Sequence, residues 1–271
     1  MKIEVVLTPA ELPALKQRDL RNAACVVFDV LRATSTFVTA LHNGANAIVP
    51  VGEIPEALAR RQKQPDVLLG GERDGVRIPA AQTGGIDFDL GNSPREFTPE
   101  KVRGKTIVST TTNGTRALRA GAGAKTVLAA SFLNLAATAK FLRRLSPAHV
   151  VLVCAGTREN TALEDVLAAG ALCEILGAPL APSLPPLGRG EGVRRTGEGF
   201  LQLSDSAEIA RRTYAQAKPD LAATVATSEN ARRLLSIPEL REDVSFCLQR
   251  DIFPLVARLA ADGAIHGGAS K

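Results

Sequence analysis

The stretch ACVVFDVLRATSTFVTALHNG, residues 24–44, contains one strand, one turn and one helix of an α/β protein. Its first part is a short, continuously apolar run, which is typical of a strand buried on both faces. Residues 36–42 have helical spacing, and the Asn-Gly pair that follows is a favourable end for a helix. Between the two elements, Asp29 ends the strand, and Arg32 with three hydroxyl residues opens the helix.

Outward from this stretch, short β-branched runs alternate with helical segments along most of the chain. The alternation predicts βαβ units, and therefore an α/β fold with a mainly parallel sheet and helices on both faces. The predicted strands are residues 2–7, 24–30, 47–51, 67–70, 105–109, 126–130 and 149–154. The predicted helices are residues 36–42, 54–62, 132–145, 163–176 and 204–217, the last with Ser204 as its N-cap.

Two segments break this alternation. Residues 181–199 contain five Gly, three Pro and three Arg, and this composition predicts an exposed, mobile insertion. Residues 263–271 are expected to fray. Since no repeat or sharp change of composition divides the chain, we expect a single α/β unit over residues 1–271. The alternative is two α/β lobes that share a cleft, at about 1–125 and 126–271.

Length and composition exclude several classes of protein. The chain has 271 residues, of which 45% are hydrophobic and 23% charged, which is typical of a globular protein. No apolar run approaches the roughly 20 residues of a membrane-spanning helix, and residues 1–4 lead into a strand pattern rather than a signal peptide. We therefore expect a cytoplasmic protein with no membrane partner. The four cysteines are widely separated and indicate reduced thiols.

The charge does not indicate a nucleic-acid partner. The formal net charge is +5, with 24 Arg and 9 Lys, but the arginines are scattered and only 4% of the residues are aromatic. We therefore expect a small anionic substrate, no nucleic acid, and a homodimer as the default oligomer.

Polar residues follow the strand predicted at 24–30. In an α/β sheet, ligands bind beyond the carboxyl ends of the strands. A helix N-terminus with Arg32, Thr34 and Ser35 beside it is favourable for binding an anion, and Asp29 occupies a common position for a metal ligand. The alternative needs no ligand: Asp29 and Ser35 cap the helix and Arg32 pairs with Asp29.

Two further polar turns follow the same pattern. After the strand at 67–70, paired glycines would allow the backbone to approach a ligand beside Glu72 and Arg73. Further on, Asn92 and Ser93 precede a helix that starts at a proline, where simple capping is the alternative to substrate binding.

The segment STTTNGTR, residues 109–116, is the strongest candidate for a phosphate-binding turn. It runs from a strand through four consecutive hydroxyl residues and an Asn-Gly pair into a helix. The hydroxyls, the turn amides and Arg116 would donate to anionic oxygens. A Thr-rich strand followed by a hairpin turn is the alternative. The residues assigned to this cradle are Thr110, Thr111, Thr112, Asn113, Gly114 and Thr115.

The strand at 149–154 ends at a fifth group of candidates. Cys154 and Gly156 are assigned to the substrate site, although a buried structural thiol is commoner than a nucleophilic one. Asp165 lies in the first turn of the next helix, where it is a candidate metal ligand or only complements the helix dipole. No histidine follows a strand, which argues against a His-based nucleophile or a zinc site and favours metal-assisted phosphoryl chemistry.

Together these motifs resemble one family. In chain order they are FDVLRATST, LLGGER, FDLGNSP, GKTIVSTTTNGTRAL, ASFLN, VLVCAG with LEDVLAAG, and LSDSA. Over about residues 3–215 the sequence is similar to the 2-phosphosulfolactate phosphatase family. The resemblance implies a magnesium-dependent phosphatase that converts 2-phosphosulfolactate to 3-sulfolactate and phosphate on the route to coenzyme M. The family motifs contain Asp29, Arg32, Thr34, Glu72, Arg73, Asn92, Thr111, Asn113, Gly114, Glu164, Asp165 and Asp205.

The chain departs from the family pattern in two places. Residues 228–231 read Ser-Glu-Asn-Ala where a Ser-x-x-Gly turn is expected, and residues 181–199 look like an insertion. Both departures bear on the C-terminal contribution to the site and on the choice of substrate.

The resulting hypothesis is a hydrolase with one bound Mg²⁺. The metal is assigned to Asp29, Glu72 and Asp165, because Mg²⁺ prefers oxygen ligands. Catalytic roles are assigned to Asp29, Arg32, Glu72 and Arg73. Substrate binding is assigned to Thr34, Ser35, Asn92, Ser93, Thr110, Thr111, Thr112, Asn113, Gly114, Thr115, Cys154 and Gly156.

Attack by water and attack by Asp29 itself are both open. The absence of a second Asp two residues after Asp29 favours water. The alternatives to this function are a phosphatase of another small anionic phosphoester and a non-catalytic protein that binds a phosphometabolite.

Overall fold

A computed structural model describes residues 1–178 and 201–269. The strands are β1 (Lys2–Val6), β2 (Ala23–Phe28), β3 (Ala47–Pro50), β4 (Leu68–Arg73), β5 (Val76–Arg77), β6 (Thr106–Thr110), β7 (Thr126–Ala130), β8 (His149–Cys154), β9 (Gln202–Leu203), β10 (Leu255–Leu259) and β11 (Ile265–Ala269). The helices are α1 (Leu12–Lys16), α2 (Ala33–His42), α3 (Ile54–Lys63), α4 (Pro99–Val102), α5 (Gly114–Ala120), α6 (Leu135–Leu145), α7 (Leu163–Gly177), α8 (Asp205–Ala217), α9 (Leu221–Ala226), α10 (Glu229–Ser236) and α11 (Arg241–Cys247).

The strands form one mixed sheet of eleven strands, in the order β5-β4-β6-β3-β11-β10-β7-β2-β8-β1-β9. Strands β7, β2, β8 and β1 form one parallel group, and β3, β6 and β4 form another. In the central strands, successive side chains enter two different apolar cores. Val26 of β2 packs in the core formed with α6, α7 and α8, and Val27 packs in the core formed with α1, α2 and α5. The predicted α/β class, with helices on both faces of a mainly parallel sheet, is confirmed.

The C-terminal residues differ from the prediction. Strands β10 and β11 form an antiparallel hairpin that lies between β3 and β7. Ile265 pairs with Ile48, Ala257 pairs with Ala129, and both hairpin residues are fully buried. The expectation that residues 263–271 fray is therefore wrong for the described residues 263–269. Glycines mask the strand pattern there, and Gly267 permits the close approach of α2, since a methyl group on it would lie 3.3 Å from Leu41 Cβ.

Two element ends near the site also differ from the prediction. Helix α2 begins at Ala33, three residues earlier than predicted, because the Ala33 amide donates to the Asp29 carboxylate. Strand β4 continues to Arg73 and pairs with β5 across a turn at Asp74 and Gly75. Their φ angles are 53° and 81°, which suits a two-residue hairpin turn of the Asp-Gly type.

The strand order interleaves the two halves of the chain. Strand β2 lies between β7 and β8, which belong to the second half. This arrangement supports a single α/β unit rather than two separate lobes. The single unit stays a prediction. The predicted insertion at 181–199 falls within residues 179–200, outside the described residues. Among the helices of the described residues, none has the length and apolar character needed to cross a membrane.

Candidate active site

A cavity opens at the carboxyl ends of strands β2, β4, β6 and β8. Its empty volume is about 570 Å³, including space open to solvent. Helix α10 closes one side of it. The lining residues are Asp29, Leu31, Arg32, Glu72, Asp74, Gly75, Asn92, Thr112, Asn113, Thr157, Arg158, Asn230, Arg233 and Leu234.

Asp29 is held at the end of β2 by the first turn of α2. Its Oδ1 accepts a hydrogen bond from the Ala33 amide at 3.0 Å, and the Thr34 hydroxyl donates to the Asp29 carbonyl at 2.9 Å. Its Oδ2 accepts no hydrogen bond from any described residue. A methyl group on Gly114 would lie 2.8 Å from this oxygen. Glycine at 114 therefore leaves room for the carboxylate between α2 and α5.

Burial dominates the electrostatics of Asp29, which is 8% exposed. Burial raises the pKa of its carboxyl group to about 7, against the Ala33 amide, which favours the charged form. The negative charges of Glu72 and Glu164 add to the rise in pKa, and the positive charge of Arg32 opposes it. A cation placed beside Oδ2 would favour the charged form.

Glu72 connects two of the strand-end turns. Its Oε1 accepts from the Thr112 amide and the Thr112 hydroxyl, both at 2.9 Å, and its Oε2 accepts from the Gly75 amide at 2.7 Å. The side chain is 7% exposed. Thr112 therefore orients an acid, in addition to lining the cavity. The Oε2 atom of Glu72, which accepts one hydrogen bond, still has capacity for a further partner.

Arg32 is held by a partner that the sequence analysis missed. Its Nη1 lies 2.7 Å from Asp243 Oδ2 in α11, and its Nη2 donates to the Gly75 carbonyl at 2.5 Å. The side chains are 3% and 0% exposed. The Ser93 hydroxyl donates to the other oxygen of Asp243 at 2.7 Å. The alternative pairing of Arg32 with Asp29 is therefore not formed. A lone acid on the buried face of α11 was the signal available in the sequence.

The lining residues that were not assigned to the site from the sequence include Arg158, Asn230 and Arg233. Arg158 follows β8, and Asn230 and Arg233 lie on α10. Neither guanidinium makes a hydrogen bond or ion pair with any described residue, whereas the Asn230 amide donates to Glu164 Oε1 at 2.7 Å. The segment 228–231, which departs from the expected family pattern, thus contributes Asn230 to the cavity.

Arg73, predicted to be catalytic, lies outside the cavity lining. Its Nη2 donates to the Thr110 hydroxyl at 3.1 Å and its Nη1 to the Glu72 carbonyl at 2.7 Å. Alternation along β4 explains the difference, because adjacent residues of a strand face opposite ways. Gly71 also differs from its expected role. Its amide donates to the Gly91 carbonyl at 3.1 Å, and a methyl group on it would lie 2.2 Å from the Thr110 carbonyl oxygen. The absence of a side chain at Gly71 allows its backbone to pack closely against the backbone of Thr110.

Most hydroxyl groups of the predicted phosphate-binding turn form hydrogen bonds within the protein. The hydroxyl of Thr111 accepts from the Thr115 amide, and the hydroxyl of Thr115 donates to the Thr111 carbonyl. Arg116 pairs with Glu159 on the surface. Only Thr112 and Asn113 of this segment line the cavity. Hydroxyl side chains in a turn readily bond to the local backbone, which removes them as ligand donors. Ser35 does the same by donating to the Val30 carbonyl at 2.8 Å.

Cys154 and Gly156, both assigned to substrate binding, lie behind the cavity wall. Cys154 is fully buried in the core, and burial raises the pKa of its thiol well above the usual value. Gly156 has φ of 69°, and a methyl group on it would lie 2.4 Å from both the Asn160 carbonyl oxygen and Pro9 Cδ. Neither residue is part of the cavity lining.

Asp165 is the third acid of the predicted metal site, and the structure gives it another role. Its Oδ1 accepts from the Val30 amide at 2.8 Å and its Oδ2 from the Gly156 amide at 3.0 Å. Burial raises its pKa well above the usual value, with the charges of Glu164 and Asp29 adding to the rise. Asp165 therefore connects the turns after β2 and β8 and does not line the cavity.

The three carboxylates are therefore not gathered into one site. Within residues 1–178 and 201–269, no group of three or more His, Cys, Asp or Glu is placed to hold a metal ion. Asp29 and Glu72 do both line the cavity. Mg²⁺ is commonly held by one or two carboxylates together with water and substrate phosphate. These two acids fit such a site, with the remaining ligands supplied by water and substrate.

Comparison with known proteins gives consistent matches over most of the chain. A family model described as 2-phosphosulpholactate phosphatase matches residues 7–262. A protein of Thermotoga petrophila is 41% identical over 257 residues, covering 95% of each chain. A protein of Caldanaerobacter subterraneus is 37% identical over 251 residues, covering 91% of each. One of Clostridium acetobutylicum is 32% identical over 257 residues, covering 94% of this chain and 96% of its own. All three are named probable 2-phosphosulfolactate phosphatase.

Proposed function

The chain belongs to the 2-phosphosulfolactate phosphatase family, and from this premise we propose that it is a Mg²⁺-dependent phosphatase that hydrolyses 2-phosphosulfolactate to 3-sulfolactate and phosphate. The observation that supports the proposal most directly is the position of Asp29. Its side chain lines a cavity at the carboxyl end of a central strand together with Glu72, and its Oδ2 accepts no hydrogen bond from any described residue. This is the position at which an α/β sheet binds its ligand.

In this proposal, Asp29 and Glu72 hold the Mg²⁺. When bound there, the metal would neutralise charge on the phosphoryl oxygens and lower the pKa of a bound water. Both acids are already positioned by backbone amides, from Ala33 to Asp29 and from Gly75 to Glu72. Such fixed carboxylates need little rearrangement to bind a cation.

Arg32 stabilises the transferring phosphoryl group. Asp243 and the Gly75 carbonyl use two of its five N–H donors. The remaining donors are available for phosphoryl oxygens, whose negative charge must be stabilised in the transition state. The side-chain amides of Asn92 and Asn113 lie on the same lining and supply further neutral donors.

We infer that water, rather than Asp29, attacks the phosphorus. A phosphoenzyme mechanism uses one acid as nucleophile and a second, close acid as proton donor. The residue two positions after Asp29 is Leu31, so the local sequence does not supply that pair. Rapid acid quench during turnover would trap a covalent phosphoaspartate if Asp29 were the nucleophile, and we expect none.

The first experiment is an assay of phosphate release from racemic 2-phosphosulfolactate beside a panel of phosphoesters, with Mg²⁺ and with chelator. We expect selective, Mg²⁺-dependent release. Asp29→Asn and Glu72→Gln should each lower kcat by about 100-fold or more, the loss typical of removing a positioned catalytic group. Glu53→Gln is the matched control, because Glu53 is exposed and outside the lining.

Three results would contradict parts of this proposal. Faster hydrolysis of a different ester would show that 2-phosphosulfolactate is not the preferred substrate. Full activity with chelator would show that the reaction does not require Mg²⁺. Absence of hydrolysis for every ester would favour a non-catalytic protein that binds a phosphometabolite.

The proposal includes several expectations about cellular context. We infer a cytoplasmic enzyme whose product, 3-sulfolactate, enters the route to coenzyme M. We also expect a homodimer and no nucleic-acid partner. Light scattering of the purified protein, with and without added RNA, tests the last two.

A further inference from the structure

Two arginines of the cavity have no ionic partner among the described residues, although other arginines around the site have one. Arg32 is neutralised by Asp243, and Arg116 by Glu159. Arg158 and Arg233 line the cavity and make no ion pair with any described residue. We propose that Arg158 and Arg233 form a second anion subsite, which binds the sulfonate and carboxylate of the substrate and selects phosphoesters that carry such groups. The inference rests on the proposed function and deepens it.

The turn that carries Arg158 is fixed on its outer side. Thr157 and Asn160 exchange two backbone hydrogen bonds of 2.9 Å. Between them, Glu159 pairs with Arg116, and its carbonyl accepts from the Thr8 hydroxyl at 2.8 Å. These contacts fix the turn in which Arg158, an exposed residue, lines the cavity.

Arg158 holds a backbone conformation that favours glycine. Its φ is 55°, in the left-handed region, where a side chain other than Gly or Asn is unfavourable. A long cationic side chain at such a position, unpaired and beside a cavity, indicates a ligand contact that offsets the conformational cost.

Arg233 lies against the hairpin turn that also holds Arg32. A methyl group on Gly75 would be 2.7 Å from Arg233 Nη2, and the Gly75 carbonyl accepts from Arg32 Nη2. Two guanidinium groups thus approach one glycine, and only one of them has a carboxylate partner. The second positive charge is available to an anionic ligand.

A buried hydroxyl beside these arginines also lacks a partner. Thr157 is 6% exposed and lines the cavity, and its Oγ1 makes no hydrogen bond with any described residue. A buried hydroxyl without a partner is costly in a folded protein. An anionic oxygen placed between Thr157 and the two arginines would satisfy it.

The chemistry of the substrate indicates which residues of the cavity bind each of its anionic groups. Asp29 and Glu72 would repel a carboxylate or sulfonate unless a metal lay between them, whereas guanidinium groups bind both through paired N–H donors. The phosphate therefore belongs at the acidic wall with the metal, and the other two anionic groups belong at Arg158 and Arg233.

The first test compares two adjacent arginines of α10. Arg233→Gln should lower kcat/KM for 2-phosphosulfolactate by about 10- to 100-fold, the loss expected for a hydrogen bond to a charged group. The same variant should change kcat/KM for 4-nitrophenyl phosphate, which has no second anion, by no more than about twofold. Arg232→Gln removes the same charge from an exposed position outside the lining and should leave both values unchanged.

Two further substrates separate the anionic groups. 2-Phospholactate lacks the sulfonate, and O-phosphoisethionate lacks the carboxylate. Arg158→Gly and Arg233→Gln should each reduce turnover of at least one of them less than turnover of 2-phosphosulfolactate. That pattern would show which arginine binds which group.

Arg158→Gly also separates a ligand contact from a structural role. Glycine suits the left-handed backbone, so the variant should keep its melting temperature or gain up to about 2–4 °C while losing activity on 2-phosphosulfolactate. Ser146→Gly is the matched control, because Ser146 has φ of 46° at the end of α6, away from the cavity. It should show the same stability trend with unchanged activity.

Two results would overturn the inference. One is an equal loss of activity on 4-nitrophenyl phosphate, and the other is no loss on 2-phosphosulfolactate. Calorimetric titration with 3-sulfolactate keeps the test independent of catalysis. If the wild-type protein hydrolyses no phosphoester, the proposed function is wrong, but weaker binding of 3-sulfolactate by both variants still supports the subsite, and unchanged binding overturns it.

Discussion

Asp29 is the residue at which stability and function oppose each other most directly. Burial raises its pKa from 3.8 to about 7. Between these two pH values the folded protein binds more protons than the unfolded chain, so the free energy of unfolding of the metal-free protein falls as pH rises. An ionised carboxylate is therefore kept in the cavity at a cost, which a bound cation would offset.

We expect Asp29→Asn to stabilise the metal-free protein while it abolishes activity. The variant has no charge to bury, so its advantage in the free energy of unfolding should grow from about 1.5 kcal/mol at pH 5 to about 4 kcal/mol at pH 8. Denaturant titration in chelator at both pH values measures it. Added Mg²⁺ should stabilise only the wild-type protein. An advantage that is the same at pH 5 and pH 8 would show that charge burial at Asp29 is not the cause.

At the residue scale, the sequence best predicts that an acid lies in the cavity when its position is set by the strand that it follows or ends. Asp29 and Glu72 follow or end apolar strands, and both line the cavity. Asp165 has an equally suggestive position, but its partners are amides at Val30 and Gly156, which only the folded chain brings to it. Arg158 and Arg233 could not be selected from 24 arginines without knowing which of them lack a carboxylate partner.

At the scale of elements, α11 is attached to the active site by one buried ion pair. Asp243 is 0% exposed and pairs with Arg32, and it also accepts from the Ser93 hydroxyl. Its other ionic neighbour, Arg95, lies 3.8 Å away. The helix is thereby joined to the turn after β2 and to the segment before Pro94.

Asp243→Ala should destabilise the protein by about 3–5 kcal/mol, because it leaves a buried guanidinium without its counter-charge. Glu242→Ala is the matched control. Glu242 is adjacent, also pairs with an arginine, but is 72% exposed, so its loss should cost no more than about 0.5 kcal/mol. Thermal or denaturant unfolding of both variants measures the difference. Equal, small effects would mean that Arg32 finds another partner or enough water when Asp243 is absent.

Elements were predictable where local pattern and burial agree. Strands β7 and β8 have the predicted bounds, 126–130 and 149–154, because every residue after the first is apolar and buried. The hairpin of β10 and β11 was missed because its second strand reads IHGGA. Its place in the sheet depends on β3 and β7, which are distant in the chain. The role of α10 likewise depends on its packing beside the cavity, and that of α11 on the ion pair between Asp243 and Arg32.

At the scale of the whole molecule, the four cysteines report whether the chain unfolds as one unit. All are fully buried in the native protein. Burial raises the pKa of Cys25, Cys173 and Cys247 to about 12 and that of Cys154 well above its usual value. The reactive thiolate is therefore scarce and inaccessible in the folded state. A thiol reagent at pH 8 should label none of them until the protein opens.

Cys25 decides between one unit and two lobes. It belongs to the first half of the chain, yet its strand β2 lies between β7 and β8 of the second half, so neither half can expose it while the central sheet stays intact. We expect all four cysteines to become labelled in the same range of denaturant. Pulsed alkylation followed by peptide mass spectrometry measures each site separately. Labelling of Cys25 at lower denaturant than Cys154 and Cys173 would mean that the first half opens on its own and that the chain has two lobes. A common transition would mean that the central strands, which place Asp29 and Arg158 at one edge, unfold together, so that the acids and arginines of the cavity are brought together only in the intact sheet.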